Sequence, residues 1–206
     1  MEENENLTAE RSLEIIRESI EQSRRAMSKH AGTPMIWWGS MVVVFILLIA
    51  YLWNNHGGPA WNVLWFVMTI VGFIGNRLLD KHKKPVPKNI IGSVISKVWL
   101  TFAIFVCGIG LIFCLAGFGV ISLEWIAPSY GIPLTSIIIF VMGMASTLTG
   151  FILKNRFVPI CSIIAGIGGF FLAQCYLGGE QLLVMAAVAV IGLVIPGIIL
   201  NIQTRE

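Results

Sequence analysis

The sequence predicts an all-α integral membrane protein: six transmembrane helices paired as three hairpins, both termini cytoplasmic, behind an amphipathic cytoplasmic N-terminal helix. Three observations predict it. The 206 residues are 56% hydrophobic and 12% charged, against about 45–50% and about 25% for a soluble domain. Six apolar stretches are each long enough to cross a hydrocarbon core about 30 Å thick. The charges, finally, fall on alternate sides of those stretches.

Residues 8–30, "TAERSLEIIRESIEQSRRAMSKH", have helical periodicity. Thr8 suits the N-cap, and Gly32 with Pro34 predicts the helix's end. Leu13, Ile16, Ile20 and Met27 form one apolar face, with Ile15 beside it. Glu10, Glu14, Glu18 and Glu21 lead, and Arg24, Arg25 and Lys29 follow, the order that suits the helix dipole. Such a helix can lie on the membrane surface, dock on the chain's own loops, self-associate, or bind a cytoplasmic protein. Residues 1–34 thus form a helix and linker, and 35–206 the membrane domain.

The spans are predicted near 35–53, 60–79, 97–117, 133–153, 158–177 and 181–201. The first follows a long charged segment and ends without a small-residue cleavage site, so it is expected to be retained rather than removed as a signal peptide. The loops "NNHGGP", "VISLEWIAPSYGI" and "GGE" contain no Lys or Arg, whereas the opposite side carries all 14. Lysine and arginine beside span ends stay cytoplasmic during insertion, so both termini are predicted inside. Arg77, Lys81, Lys83, Lys84 and Lys88 form the strongest such signal, and Lys154 and Arg156 repeat it. Near the surface each also attracts anionic lipid headgroups, by about 1 kcal/mol. No recognition fold or stacking platform accompanies these lysines, so no nucleic-acid role is predicted.

Aromatic rings mark the two interfaces. Trp37, Trp38 and Trp99 sit at inner ends; Tyr51, Trp53, Trp61 and Tyr176 sit at outer ends, with Trp125 and Tyr130 in the outer loop. The outgoing spans end alike, in "GFIGNR", "GFILKNR" and "GIILNIQTR". The likeness fits triplication of one hairpin, and equally the ordinary use of Asn and Arg as inner-end caps and anchors.

Small residues mark helix-packing faces in lipid. Ala103, Cys107, Gly110, Cys114 and Gly117 make one stripe on span 3, and Ser162, Gly166, Gly169 and Ala173 another on span 5. Span 4 offers Ser136, Gly143, Thr147 and Gly150. The tightest contacts are therefore expected at spans 3 and 5. The four cysteines, including Cys161 and Cys175, lie in apolar stretches without a C-x-x-C pair and read as packing residues. Pro196 predicts a kink near the inner end of span 6.

The centres of all six spans lack Asp, Glu, Lys, Arg and His, the usual markers of proton relays and catalysis in membranes. No nucleophile–base set, zinc motif or phosphate loop is present. The expectation is a non-enzymatic chain with no cofactor and no catalytic residue. The outer loops bring one candidate metal cluster, His56, Glu124 and Glu180, whose sequence spacing does not fix a site.

Ser12, Leu13 and Ile16, followed by the Trp38–Gly39 pair that opens span 1, resemble a family of small, uncharacterised bacterial membrane proteins found largely among Bacteroidetes. Gly150, Lys154, Pro159, Pro196 and Gly197 extend the likeness. The resemblance implies a bacterial inner membrane and supplies no activity. The leading expectation is a regulatory, sensory or scaffolding protein acting through its cytoplasmic face. The alternative is a small transporter or channel for an apolar or weakly polar solute, using the glycine-lined interior of spans 3 to 5.

Overall fold

The computed structural model describes residues 2–81, 90–120 and 134–203. Among these the chain is all-helical, with no strand. Helix α1 is Glu2–His56, α2 Leu64–Lys81, α3 Ile90–Gly117, α4 Leu134–Ile152 and α5 Phe157–Gln174. The last crossing is built from α6, Glu180–Ala189, a π-helical turn, Val190–Val194, and α7, Ile195–Gln203. Six of these crossings are long and apolar enough to span a membrane.

The most buried crossing is the last: half of its apolar window is inside the bundle, against none of α3's. Helix α1 packs along one side of α6 and α7, while α4 and α5, the most closely packed pair, cover the other. Helix α3 leans on α1 and α4, and α2 on α1. In lipid, apolar surface gains little by leaving its surroundings, so shape decides which helices go to the middle. The last crossing supplies small or slim side chains all round, including Ala186, Val188, Ala189 and Gly192, and can be approached from both sides.

The α4–α5 contact shows the same rule at closest range. A Cβ on Gly143 would stand 2.7 Å from the Gly166 Cα, so these two backbones touch. A Cβ on Gly169 would meet Val188 Cγ2 of α6 at 2.3 Å, and one on Gly150 would meet Pro159 Cδ at 2.5 Å. Ser162, Gly166, Gly169 and Ala173 are all buried, as the span 5 stripe predicts. Ser136 and Gly143 are buried on α4, while Thr147 is half-buried and donates to the Gly143 carbonyl.

The span 3 stripe behaves otherwise. Ala103, Cys107, Gly110 and Cys114 are only partly buried, and a Cβ on Gly110 would meet nothing within 4 Å. The burial of Gly117 lies outside the described residues. Helix α3 instead presents Ile95, Trp99 and Phe102 to the core. At about 100° per residue, Ile95 and Phe102 lie about a quarter-turn round the helix from the middle of the stripe, and Trp99 lies on the stripe's near edge. Trp99 and Phe102 meet edge to face in this contact, their ring centroids 5.6 Å apart.

Helix α1 is the second departure. It runs through Gly32 and Pro34 without a break, where the sequence predicts an end, so the helix of the N-terminal segment and the first span are one rod. Gly32 serves a crossing rather than a stop: a Cβ there would lie 2.6 Å from the Gly197 carbonyl oxygen and against the Asn201 side chain. Pro34 removes one hydrogen bond, a loss that helices in membranes tolerate.

Candidate functional site

Three features converge on the π-turn of the last crossing, beginning with a missing proton. Pro196 has no N–H, and its ring would collide with the carbonyl four residues back, that of Gly192. Widening the turn relieves the collision: the Ile195 N–H donates to the Val190 carbonyl, five residues back. The Gly192 carbonyl is left without its helical donor, inside the bundle.

Two serines replace that donor. Ser146 Oγ of α4 donates to the Gly192 oxygen at 2.8 Å. Ser162 Oγ of α5 lies 2.7 Å from Ser146 Oγ, 2.8 Å from the Val158 carbonyl oxygen and 3.4 Å from the Gly192 oxygen. Both serines are buried. An unpaired carbonyl at this depth costs about 1–3 kcal/mol, and a hydroxyl from a neighbouring helix is the usual remedy in a membrane protein. Helices α4 and α5 approach closely enough to deliver both hydroxyls because Gly143 meets Gly166 alongside. The seam among Met142, Ser146, Ser162, Val188, Gly192 and Leu193 has no room for a water molecule.

On its other side the turn meets α1. A Cβ on Gly39 would sit 2.8 Å from Val194 Cγ2 and 3.0 Å from Leu193 Cβ. With the Gly32–Gly197 crossing beyond it, α1 is seated on the last crossing on both sides of Pro196. Trp38 and Trp37 lie over Gly72 and Gly75 of α2, and Trp37 Nε1 donates to the Gly72 carbonyl at 3.2 Å. Trp99 Nε1 donates to Thr149 Oγ1 at 3.1 Å, tying α3 to α4.

Gly32, Asn155 and the end of α7 meet at one end of the bundle, the basic end, which Lys154 and Arg156 also occupy. Asn155 Nδ2 donates to Gln203 Oε1 at 3.0 Å, while Asn155 Oδ1 accepts the Phe157 and Val158 N–H groups that open α5. Asn201 instead lies against Gly32, so two of the three repeated asparagines perform different tasks. From this end α1 extends as a stalk. Leu13, Ile15, Ile16 and Ile20 are exposed, Leu13 by 67%. Met27, the fourth member of that face, packs against the core instead. At the stalk's base Glu21 pairs with Arg24 and lies 3.6 Å from Arg25 Nε. Desolvation pushes the Glu21 carboxyl up, but Arg24, followed by Lys154 and Arg25, more than reverses it and holds the group below its ordinary value. The pairing therefore favours the folded chain above the ordinary carboxylate range and is lost on acidification through the lowered value.

Arg77 and Lys97 are exposed. The Lys81 side chain and Lys83, Lys84 and Lys88 lie outside the described residues. His56 and Glu180 are both exposed, and Glu124 lies outside the described residues. Among the described residues no three His, Cys, Asp or Glu side chains gather as a metal site. The four cysteines are free thiols, Cys175 exposed and the others partly buried.

Helical periodicity alone does not mark Ser146 or Gly192, although the sequence carries a signal for both. A proline inside a span frees the carbonyl four residues before it, and serines at the same level on other helices are the natural donors. No family model, curated protein or solved structure matches the chain.

Proposed function

We propose that this chain is a non-enzymatic, multi-pass protein of the bacterial inner membrane with a regulatory, sensory or scaffolding role, acting through its stalk. The observation that carries the reading is the stalk: an exposed apolar face at Leu13, Ile16 and Ile20 stands on the same unbroken helix that packs against the most buried crossing. A protein seated on that face has a rigid connection to the centre of the bundle. The basic end is taken as cytoplasmic because all 14 Lys and Arg fall on that side in the sequence, and the same residues favour anionic headgroups there. For the transporter alternative a water-filled path is required, and the seam beside the π-turn is closed to water.

In-cell cross-linking tests the reading. Full-length protein and a variant lacking residues 1–30 are compared with the triple substitution Leu13→Glu, Ile16→Glu, Ile20→Glu. Because those three side chains are exposed, the triple variant is expected to keep its melting temperature and lose specific cross-links. An unchanged partner set in both variants refutes the stalk as the working surface.

A further inference from the structure

We propose that the π-turn is a two-position latch, in which the Gly192 carbonyl passes between Ser146 of α4 and Ser162 of α5 and the last crossing shifts with it. Pro196 removes the N–H that an α-helical turn would give this carbonyl, and in either position a serine hydroxyl from a neighbouring helix takes its place. Two donors are in place at unequal distances, 2.8 Å for Ser146 and 3.4 Å for Ser162.

Each serine has somewhere to go when it is not holding the carbonyl. In the observed position Ser146 donates to Gly192, and Ser162 donates to Ser146 or to its own Val158 carbonyl. In the second position Ser162 donates to Gly192, after closing a gap of well under 1 Å to reach an ordinary O–H···O distance of about 2.8 Å. Ser146 then turns to the carbonyl four residues before it, as Thr149 does to Ala145 in the same helix. Neither position leaves a buried polar atom unpaired. Two such arrangements of nearly equal energy are what a bistable element requires.

The surroundings permit the shift and transmit it. A Cβ on Gly192 would touch only the Ala165 Cβ, at an ordinary 3.8 Å, so the turn is not locked sterically against α5. On the opposite side Gly39 fits against Leu193 and Val194, and Gly32 against Gly197, at distances that leave no slack. A displacement of the last crossing therefore carries α1 with it, and the stalk is the far end of α1. The latch rests on the regulatory reading only for its purpose. Geometry tests the latch, and partner capture tests the function.

The experiment places spin labels at Glu14→Cys on the stalk and Arg156→Cys at the α4–α5 turn, with the four native cysteines replaced by alanine, in full-length protein in lipid nanodiscs. Both labelled positions are exposed. Two distance populations are expected. Ser146→Ala shifts their ratio toward one and Ser162→Ala toward the other, each by about threefold, the effect of one average hydrogen bond within a membrane. Pro196→Ala restores the missing N–H and makes both serine substitutions silent. If Ser146→Ala does not fold, the Pro196→Ala, Ser146→Ala double variant is expected to recover the fold. Identical distributions in the wild type and both serine variants, shifts in the same direction, or failure of the double variant to recover each overturn the latch. A working latch with an unchanged partner set leaves it standing and refutes the regulatory reading.

Discussion

A glycine in a membrane helix is an offer of close approach, and only the residue opposite decides whether it is taken up. Gly143 and Gly166 have taken it up: a Cβ on Gly166 would stand 3.0 Å from the Gly143 Cα, which is backbone and cannot yield. Gly110 has not, since its Cβ position meets nothing within 4 Å. Gly166→Leu is therefore expected to lower the melting temperature of the purified protein, with a cost at or above the usual overpacking range of about 1–3 kcal/mol. Gly110→Leu is expected to leave the melting temperature unchanged, and equal losses in the two variants would show that the α3 stripe is a packing face after all. Gly32→Ala has a sharper signature. Its Cβ meets both the Asn201 side chain and the Gly197 carbonyl oxygen, the latter at 2.6 Å. Removing the Asn201 side chain in a Gly32→Ala, Asn201→Ala double variant is expected not to restore the melting temperature, because the backbone obstacle remains. Which glycines share a face was legible in the sequence through helical periodicity. Which of those faces meets another helix was not, because periodicity carries no information about the neighbour.

Among the elements, apolar length is legible in the sequence: six stretches correspond to six helices long enough to cross, because a fixed membrane thickness sets how long each must be. The ends and irregularities were less legible. Gly32 and Pro34 resemble a helix terminus, yet α1 passes through both, since the glycine is required by the α7 crossing. Pro196 was readable as an irregularity, but the π-turn and its serine donors depend on what α4 and α5 bring alongside. Helix α2 shows how a peripheral element is retained. Its contact with α1 rests on Trp38 and Trp37 seated over Gly72 and Gly75, and a Cβ on Gly75 would strike Trp37 Cζ2 at 2.2 Å. Gly75→Val is expected to displace Trp37, break its hydrogen bond to the Gly72 carbonyl and free α2 from α1. A cysteine pair placed across α1 and α2 then cross-links less readily, while a pair across α4 and α5 is unaffected. Equal loss at both pairs would mean that α2 is part of the core rather than an attachment to it.

At the scale of the whole molecule the last crossing is the hub, with α1 on one side and α4 and α5 on the other. The closest pair, α4 with α5, spans the boundary between the second and third sequence hairpins, so the tightest packing is made between hairpins rather than within one. The arrangement has a consequence for orientation. Gly32 lies against Gly197 and Asn155 binds Gln203, so the stalk, the α4–α5 turn and the end of α7 share one end of the bundle. Whichever face of the membrane that end occupies, all three must occupy it together, and the orientation proposed from the segregated basic residues puts it in the cytoplasm. Single cysteines at Glu14 and Arg156 should therefore react with a membrane-impermeant maleimide only after the inner membrane is permeabilised. Single cysteines at His56 and Leu177, the latter 85% exposed, should react in intact spheroplasts. Reversal of all four accessibilities would overturn the orientation and leave the bundle intact. Labelling of Glu14 and Arg156 from opposite faces would do more, because no six-crossing bundle with the Gly32–Gly197 and Asn155–Gln203 contacts can place them apart.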